Sequence, residues 1–268
     1  MKQVIKMILK NNILMNYKYF ILCISLVCFF SCKQEMHLER IEGKRIEIND
    51  SIIGADKIED FIKPYREHVN KNLDSILAYS VDTYSKTDGD LNTAIGNMMA
   101  DAVLQQSNPV FKSRTGNSID FVLLNHGGIR SILSKGNVTT RNAYEIMPFE
   151  NSVVVTELKG SHVNELIAYL QRAKRAHPIS GLKIKLDENF EVMESTINGL
   201  SVDENRTYYV ATNDYLYGGG DRMDFFQKSD TLHDLDYKIR NVLIDYFTKT
   251  DTIKPVIDDR FIKTTKPQ

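Results

Sequence analysis

The chain has 268 residues, of which 42% are apolar, 26% charged and 9% aromatic. That profile belongs to a globular protein with a substantial core and excludes a disordered, collagen-like or repetitive coil. Its 34 Lys+Arg against 35 Asp+Glu give a formal net charge of −1, so no bulk basic field exists to hold a nucleic-acid polymer.

The N-terminus reads as an export signal. Residues 19–30 (YFILCISLVCFF) form an apolar run behind Lys18. The run is too short to cross a bilayer comfortably and fits the core of a signal peptide. It ends at Ser31-Cys32, which resembles a bacterial lipobox and predicts cleavage before Cys32 and lipidation of its thiol. An ordinary secretory signal with an incidental cysteine is the alternative, because Phe29 and Phe30 replace the usual Leu and small residue. Met15 opens a compact signal by itself and is a candidate start. Cys23, Cys28 and Cys32 are the only cysteines, so the body carries neither disulfide nor thiolate metal site. The expected organisation is a signal with lipobox over 1–32, a tether and lead-in over 33–55, a linker helix over 56–80 and one domain over 81–262. The expected location is the bacterial cell envelope, on its periplasmic or surface face.

Along the body, residues 41–53 alternate enough for a strand or extended lead-in. Ile58, Phe61, Ile62, Tyr65, Val69, Leu73, Ile76 and Leu77 recur at helical spacing and predict an amphipathic helix over 56–78, which Pro64 kinks or divides. Thr93 caps a helix from Ala94 to about Gln106 that Asn108-Pro109 ends. Residues 119–124 (IDFVLL) read as a buried strand. Thr139 or Thr140 starts a short helix through Ile146, 152–158 is a second strand, and Ser161 caps a helix over 163–174. Strands follow at 182–186, 195–202 around an Asn198-Gly199 turn, and 207–212. A helix over 235–247 and an extended tail around 256–262 complete the chain. This irregular alternation predicts an α+β (mixed α/β) domain.

Two glycine-rich loops follow apolar strands: Asn125-His126-Gly127-Gly128-Ile129-Arg130, and Asn213 to Asp221 with Gly219-Gly220. Such glycines permit positive φ and close approach of a ligand, and loops at strand ends are where ligand sites sit on α/β scaffolds. Taken singly, each loop reads equally well as a tight turn with Arg130 in solvent. Neither matches a phosphate-binding glycine motif.

Taken together, Asn125-x-Gly-Gly-Ile-Arg130, Met147-Pro148-Phe149-Glu150-Asn151, Leu158-Lys159-Gly160, Asn213-Asp214-Tyr215 and Gly219-Gly220-Asp221 are more specific. In this order and spacing the chain resembles the C-terminal, substrate-binding domain of the 5′-nucleotidase family, from about Asp56 to about Lys254. The resemblance implies that Phe149 and Tyr215 sandwich a nucleobase, that Asn125 and Asp221 contact base and ribose, and that Arg130 faces phosphate. Gly127, Gly128, Gly219 and Gly220 are the loop glycines. His126 occupies a variable position and receives no catalytic role. The stretch before Gly96-Asn97 lacks the phosphate-binding arginine of the family and carries Asp88 and Asp90 instead.

The same family's full-length enzymes have a metallophosphatase domain with Asp-x-His, Asn-His-Glu and Gly-His-x-His signatures, in which two metals activate water. None of these signatures is present, and His37, His68, His126, His162, His177 and His233 form no metal-spaced pair. No catalytic residue, metal or cofactor is therefore assigned to the chain; divalent metals are expected in a partner. The expected function is the nucleotide- or nucleoside-binding half of a split 5′-nucleotidase-type hydrolase, with a metallophosphatase-domain protein encoded nearby. A non-catalytic envelope lipoprotein that binds nucleosides or nucleotides is the alternative, and an independent enzyme with an unrecognised site is a third reading.

Overall fold

The computed structural model describes residues 38–264 except 50 and 230, together with residues 17, 19–22, 24 and 25. Cys32, its lipobox and Met15 lie outside the described residues. The chain divides into two units, Met1–Ala55 and Asp56–Gln268. In the first, residues 17, 19–22, 24 and 25 are helical, whereas residues 38–49 have no regular structure. Of the two readings of 41–53, a strand or an extended lead-in, the strand does not form among the described residues: Ile41, Ile46 and Ile48 are exposed, and an apolar alternation without a sheet to bury it does not order a strand. No helix of the described residues is long and apolar enough to cross a membrane.

The second unit is built on a five-stranded sheet. Its strands are β2 (Phe121–Leu123), β4 (Ser152–Lys159), β5 (Ile179–Ser180), β9 (Thr207–Asn213) and β10 (Leu232–Lys238), in the order β10-β4-β9-β2-β5. Only β2 and β9 pair in parallel, with Phe121 opposite Val210 and Val122 opposite Ala211. Alternate side chains feed opposite faces. Val122, Val153, Val155 and Ala211 join one core. Phe121, Leu123, Tyr208 and Val210 join another. The first core is closed by helices α2 (Ala94–Thr115) and α6 (Ile239–Lys249), the second by α4 (Gly160–Ala173). Burial on both faces explains why β2 and most of β4 and β9 read as apolar runs.

A three-stranded sheet is formed by β1 (Ile76–Ser80), β3 (Gly136–Thr139) and β11 (Thr252–Ile253). A four-stranded sheet holds β6 (Leu182–Leu186), β7 (Val192–Ile197), β8 (Leu200–Ser201) and β12 (Phe261–Lys263). The β7–β8 hairpin turns at Asn198 (φ 51°) and Gly199 (φ 81°), the paired left-handed conformation that two-residue hairpins favour.

Four helix boundaries differ from the sequence reading. Helix α1 spans Asp56–Leu73, undivided by Pro64; it stops before Ile76 because Ile76–Ser80 pairs as a strand with β3 and β11. Helix α2 runs through Pro109 to Thr115. Phe111 lies fully buried beyond the proline, so its burial offsets the hydrogen bond that Pro109 removes. The helix ends where Gly116 takes a left-handed conformation (φ 78°) and donates to the Lys112 carbonyl. Helix α4 starts at Gly160, with Lys159 rather than Ser161 at its cap. Residues 232–238, expected in part as helix, form the edge strand β10 against β4, and α6 begins only at Ile239. The short helix α3 (Thr140–Ile146) has Thr139 as its cap in a reciprocal box with Asn142.

The C-terminal segment is tied to the start of α2 by two amides. Buried Asn92 donates through Nδ2 to the carbonyls of Phe261 (2.8 Å) and Asp258 (3.1 Å), and Asn97 donates to Asn92 Oδ1 (3.0 Å) and the Val256 carbonyl (2.9 Å). Truncating Asn92 strands several buried polar groups at once, each costing about 1–3 kcal/mol. Asn92→Ala is therefore expected to lower unfolding stability by about 2–3 kcal/mol in urea titrations; a loss under 0.5 kcal/mol would show that the segment is held by other contacts.

Candidate functional site

Three motif segments meet at one edge of the central sheet. Asn125 follows β2, Asn213 ends β9 beside it, and Phe149–Asn151 leads into β4, whose Val153 lies opposite Asn213. The parallel β2–β9 pair sends both of its C-terminal ends to the same edge, and the antiparallel β4 brings its N-terminal end there too. The side chain of Asn213 caps the one-turn helix α5 (Asp214–Tyr217) by accepting from the Leu216 amide at 2.7 Å.

Asp221 is the junction of this edge. Its Oδ2 accepts from Asn125 Nδ2 at 2.9 Å, its Oδ1 accepts from the Tyr215 hydroxyl at 3.1 Å, and its carbonyl accepts from the Tyr169 hydroxyl at 3.0 Å. Gly219 (φ 91°), Asp221 (φ 53°) and Arg222 (φ 60°) are all left-handed. For Asp and Arg that conformation costs energy and is held by the surroundings.

The glycines act partly through space rather than through positive φ, as the sequence suggested for both loops. Gly127, Gly128 and Gly220 are not left-handed. A Cβ on Gly128 would lie 3.0 Å from Asn125 Oδ1, and one on Gly220 would lie 2.5 Å from the Tyr215 ring. The first loop thus wraps the Asn125 amide, and the second makes a bed for the Tyr215 ring.

Asn125, Gly127, Gly128, Arg130, Phe149, Asn151, Tyr215 and Asp221 line one cavity of about 380 Å³. Phe149 is 40% and Tyr215 48% exposed; both rings face solvent in this cleft rather than the core. The Arg130 guanidinium lies 5.7 Å from the centre of the Phe149 ring. Phe149 itself is held from behind. Its neighbour Glu150 pairs with nearly buried Arg240 at 2.5 Å, Arg240 stacks on Tyr144 at 4.1 Å, and the Ile239 amide donates to the Asn151 carbonyl at 3.0 Å. Asn151, Tyr169 and Arg240 were missed by the sequence reading. Asn151 stands within the quoted motif, but Tyr169 and Arg240 come from helices α4 and α6, and only the fold brings them near.

Asp88, which looked hostile to phosphate, instead accepts from the Ser85 amide at 3.1 Å. From the same turn, Lys86 Nζ donates to the Ile129 carbonyl at 2.8 Å, which places a cation beside the Arg130 loop. Among the described residues no group of three or more His, Cys, Asp or Glu is placed to hold a metal ion.

His126 and His177 tie the first glycine loop to the segment before β5. His126 bonds the Ala176 carbonyl through Nδ1 at 3.1 Å, and its amide donates to His177 Nδ1 at 3.3 Å. Burial pushes His126 below the ordinary imidazole range and pushes His177 down to about 4.

Residues 73–228 match the family model for the 5′-nucleotidase C-terminal domain. The chain belongs to that family. Similar proteins include a Listeria monocytogenes cell wall protein, 27% identical over 219 residues, covering 66% of this chain and 28% of that one. A Vibrio vulnificus 5′-nucleotidase is 25% identical over 195 residues, covering 68% of this chain and 32% of the relative. A Thermus thermophilus 5′-nucleotidase precursor superposes with a TM-score of 0.65 at 21% identity, over 79% of this chain and 44% of that one. The chain thus spans less than half the length of these relatives, and it has their mixed α/β C-terminal fold.

Burial of a neutral His177 makes stability depend on pH. The unfolded chain protonates this imidazole below about pH 6.5, whereas the folded chain keeps it neutral to about 4. Stability therefore falls as pH drops through that window, by roughly 3 kcal/mol at most from this group. Urea unfolding at pH 7 and pH 4.5 should show a smaller acid loss in His177→Gln than in the parent; equal losses would remove His177 from the account.

Proposed function

We propose that this chain is the nucleotide-recognition half of a split 5′-nucleotidase-type hydrolase, working with a separate metallophosphatase-domain protein that contributes the divalent metals. The observation that carries this reading is the pairing of half-exposed Phe149 and Tyr215 in one cleft whose polar wall is Asn125–Asp221 and whose cation is Arg130. Two aromatic faces suit any nucleobase, because stacking is tolerant of base identity and contributes about 1–3 kcal/mol per ring. The Asp221 carboxylate, oriented by Asn125 and Tyr215, suits ribose hydroxyls. The exposed Arg130 fork suits a phosphate monoester.

Relatives named as a cell wall protein and as 5′-nucleotidases support an exported protein of nucleotide catabolism. The lipobox at Ser31-Cys32 extends this to a lipid anchor at Cys32. Co-anchoring with its partner on one membrane would supply the high local concentration that a fused enzyme obtains by linkage.

Titration calorimetry tests the clamp. Phe149→Ala and Tyr215→Ala should each weaken adenosine binding by about 1–3 kcal/mol, and leucine at either position should recover little because it has no π-face. Gly220→Ala should also weaken binding, since its methyl displaces the Tyr215 ring. Adenosine binding unchanged in both ring variants would overturn the clamp. Release of phosphate from AMP by the isolated chain with Mg²⁺ or Mn²⁺, at ordinary enzyme rates, would overturn the split assignment.

A further inference from the structure

Asp221 and Gly127 line a second cavity besides the aromatic cleft. This cavity, about 410 Å³, is completed by Tyr169, Ala173, Arg175, His177 and Arg222. Its charge is unusual for this molecule. In the second unit, Arg66, Arg141, Arg206, Arg240 and Arg260 each hold a carboxylate, and Arg114 donates to the carbonyls of Asp234 and Leu235. The side chains of Arg130, Arg172, Arg175 and Arg222 hold no hydrogen bond or ion pair among the described residues. These four do not scatter. Arg130 lines the aromatic cleft, Arg175 and Arg222 line the second cavity, and Arg172 lines a third beside Arg222.

Both arginines of the second cavity stand at or just after a left-handed residue. Arg222 is itself left-handed at φ 60°, and Arg175 follows Lys174, left-handed at φ 47°. The neighbouring groups feel both Asp221 and Arg175: Asp221 favours protonation of His177 and raises the Tyr169 hydroxyl, while Arg175 acts the other way on both and also disfavours protonation of His126, all beneath the larger effect of burial. His177 adds no charge of its own at neutral pH, and its Nδ1 is occupied by the His126 amide. The cavity therefore sets two arginines against the one carboxylate of Asp221, whose oxygens are held by Asn125 and Tyr215, beside a neutral aromatic and imidazole wall. Unpaired arginine forks there match the oxygens of a phosphate group.

We propose that this pocket is an anion subsite in which Arg175 and Arg222 take a phosphate group attached to the nucleoside on the side of Asp221 away from Arg130. The proposal rests on the clamp reading for the nucleoside. It adds a ligand class: nucleosides carrying two separated phosphates, one toward Arg130 and one beyond the ribose-facing carboxylate. A guanidinium–phosphate contact is charge-assisted, so each arginine is expected to contribute roughly tenfold in affinity at low salt. The contribution shrinks as salt rises.

The experiment titrates the full chain with adenosine, adenosine 5′-monophosphate, adenosine 3′,5′-bisphosphate and inorganic phosphate, in the parent, in Arg175→Ala and in Arg222→Gly. Glycine suits the left-handed backbone at 222, and neither arginine holds a partner, so folding is retained; circular dichroism checks it. The expected result is that the bisphosphate binds at least tenfold tighter than the 5′-monophosphate, and that this ratio drops about tenfold in each variant. Arg175→Lys should restore part of it. Equal binding of bisphosphate and monophosphate in the parent, with adenosine bound, overturns the subsite and leaves the clamp standing. If adenosine does not bind, the clamp reading fails. Inorganic phosphate binding that is lost in both variants then still supports the anion pocket, and its persistence or absence overturns it.

Discussion

The site depends on one backbone pairing, the parallel ladder between β2 and β9. Parallel neighbours leave the sheet at the same edge, so the loop after Leu123 and the loop after Asn213 are forced together although almost ninety residues separate them in sequence. Adding β4 antiparallel on the other side of β9, with Val153 opposite Asn213, delivers Phe149 to that edge. A slip of one residue in either ladder would turn every inward side chain outward. The two cores resist this, because Phe121, Leu123 and Val210 fill one face while Val122, Val153 and Ala211 fill the other. Packing of the sheet and assembly of the site are thus the same constraint.

On this frame the side chains are oriented before any ligand arrives. The Asp221 carboxylate is fixed by two donors from different loops and its carbonyl by a third donor from α4. Asn125 is enclosed by glycines whose missing Cβ atoms leave it room, and the Tyr215 ring lies where a side chain on residue 220 would have been. Phe149 is braced separately through Glu150, Arg240 and Tyr144. Ordering costs that would oppose binding are in this way met by folding.

Much of this was legible in the sequence, and the losses have physical causes. The strands 152–158 and 207–212 announce themselves as β-branched and aromatic apolar segments, and 182–186 by its strict apolar–lysine alternation. The motif residues Asn125, Arg130, Phe149, Tyr215 and Asp221 do share one cavity. What misled was local punctuation. Pro109 sits inside a helix, because a single lost hydrogen bond is a smaller quantity than burial of a residue such as Phe111; Pro64 also sits inside one, although that helix buries no residue. Residues 235–238 have helical spacing yet form an edge strand, since the open edge of β4 supplies partners that periodicity does not see. Arg222, next to Asp221 in the glycine loop, offered a signal of proximity. Tyr169, Arg175 and Arg240 offered none, because their place is decided by tertiary packing alone.

The bracing also divides the labour of recognition. The two rings stand on different mounts: Tyr215 on the turn after β9, Phe149 on the lead-in to β4. Their relative position is set by the β4–β9 register. In the reading proposed above, the rings supply affinity that any base can use, since stacking has little directionality toward exocyclic groups. Discrimination must then come from groups with direction. Asn125 retains one acceptor and one donor hydrogen beyond its bond to Asp221, and Asn151 adds an uncharged amide at the same cavity. Electrostatics set the remaining selectivity. With the other arginines of the second unit committed to carboxylates or carbonyls, the arginines without such partners gather around this one edge, although the whole chain is nearly neutral. In that reading, a low net charge with a local cluster of arginines suits a small anionic ligand better than an extended polyanion, which needs a continuous basic surface.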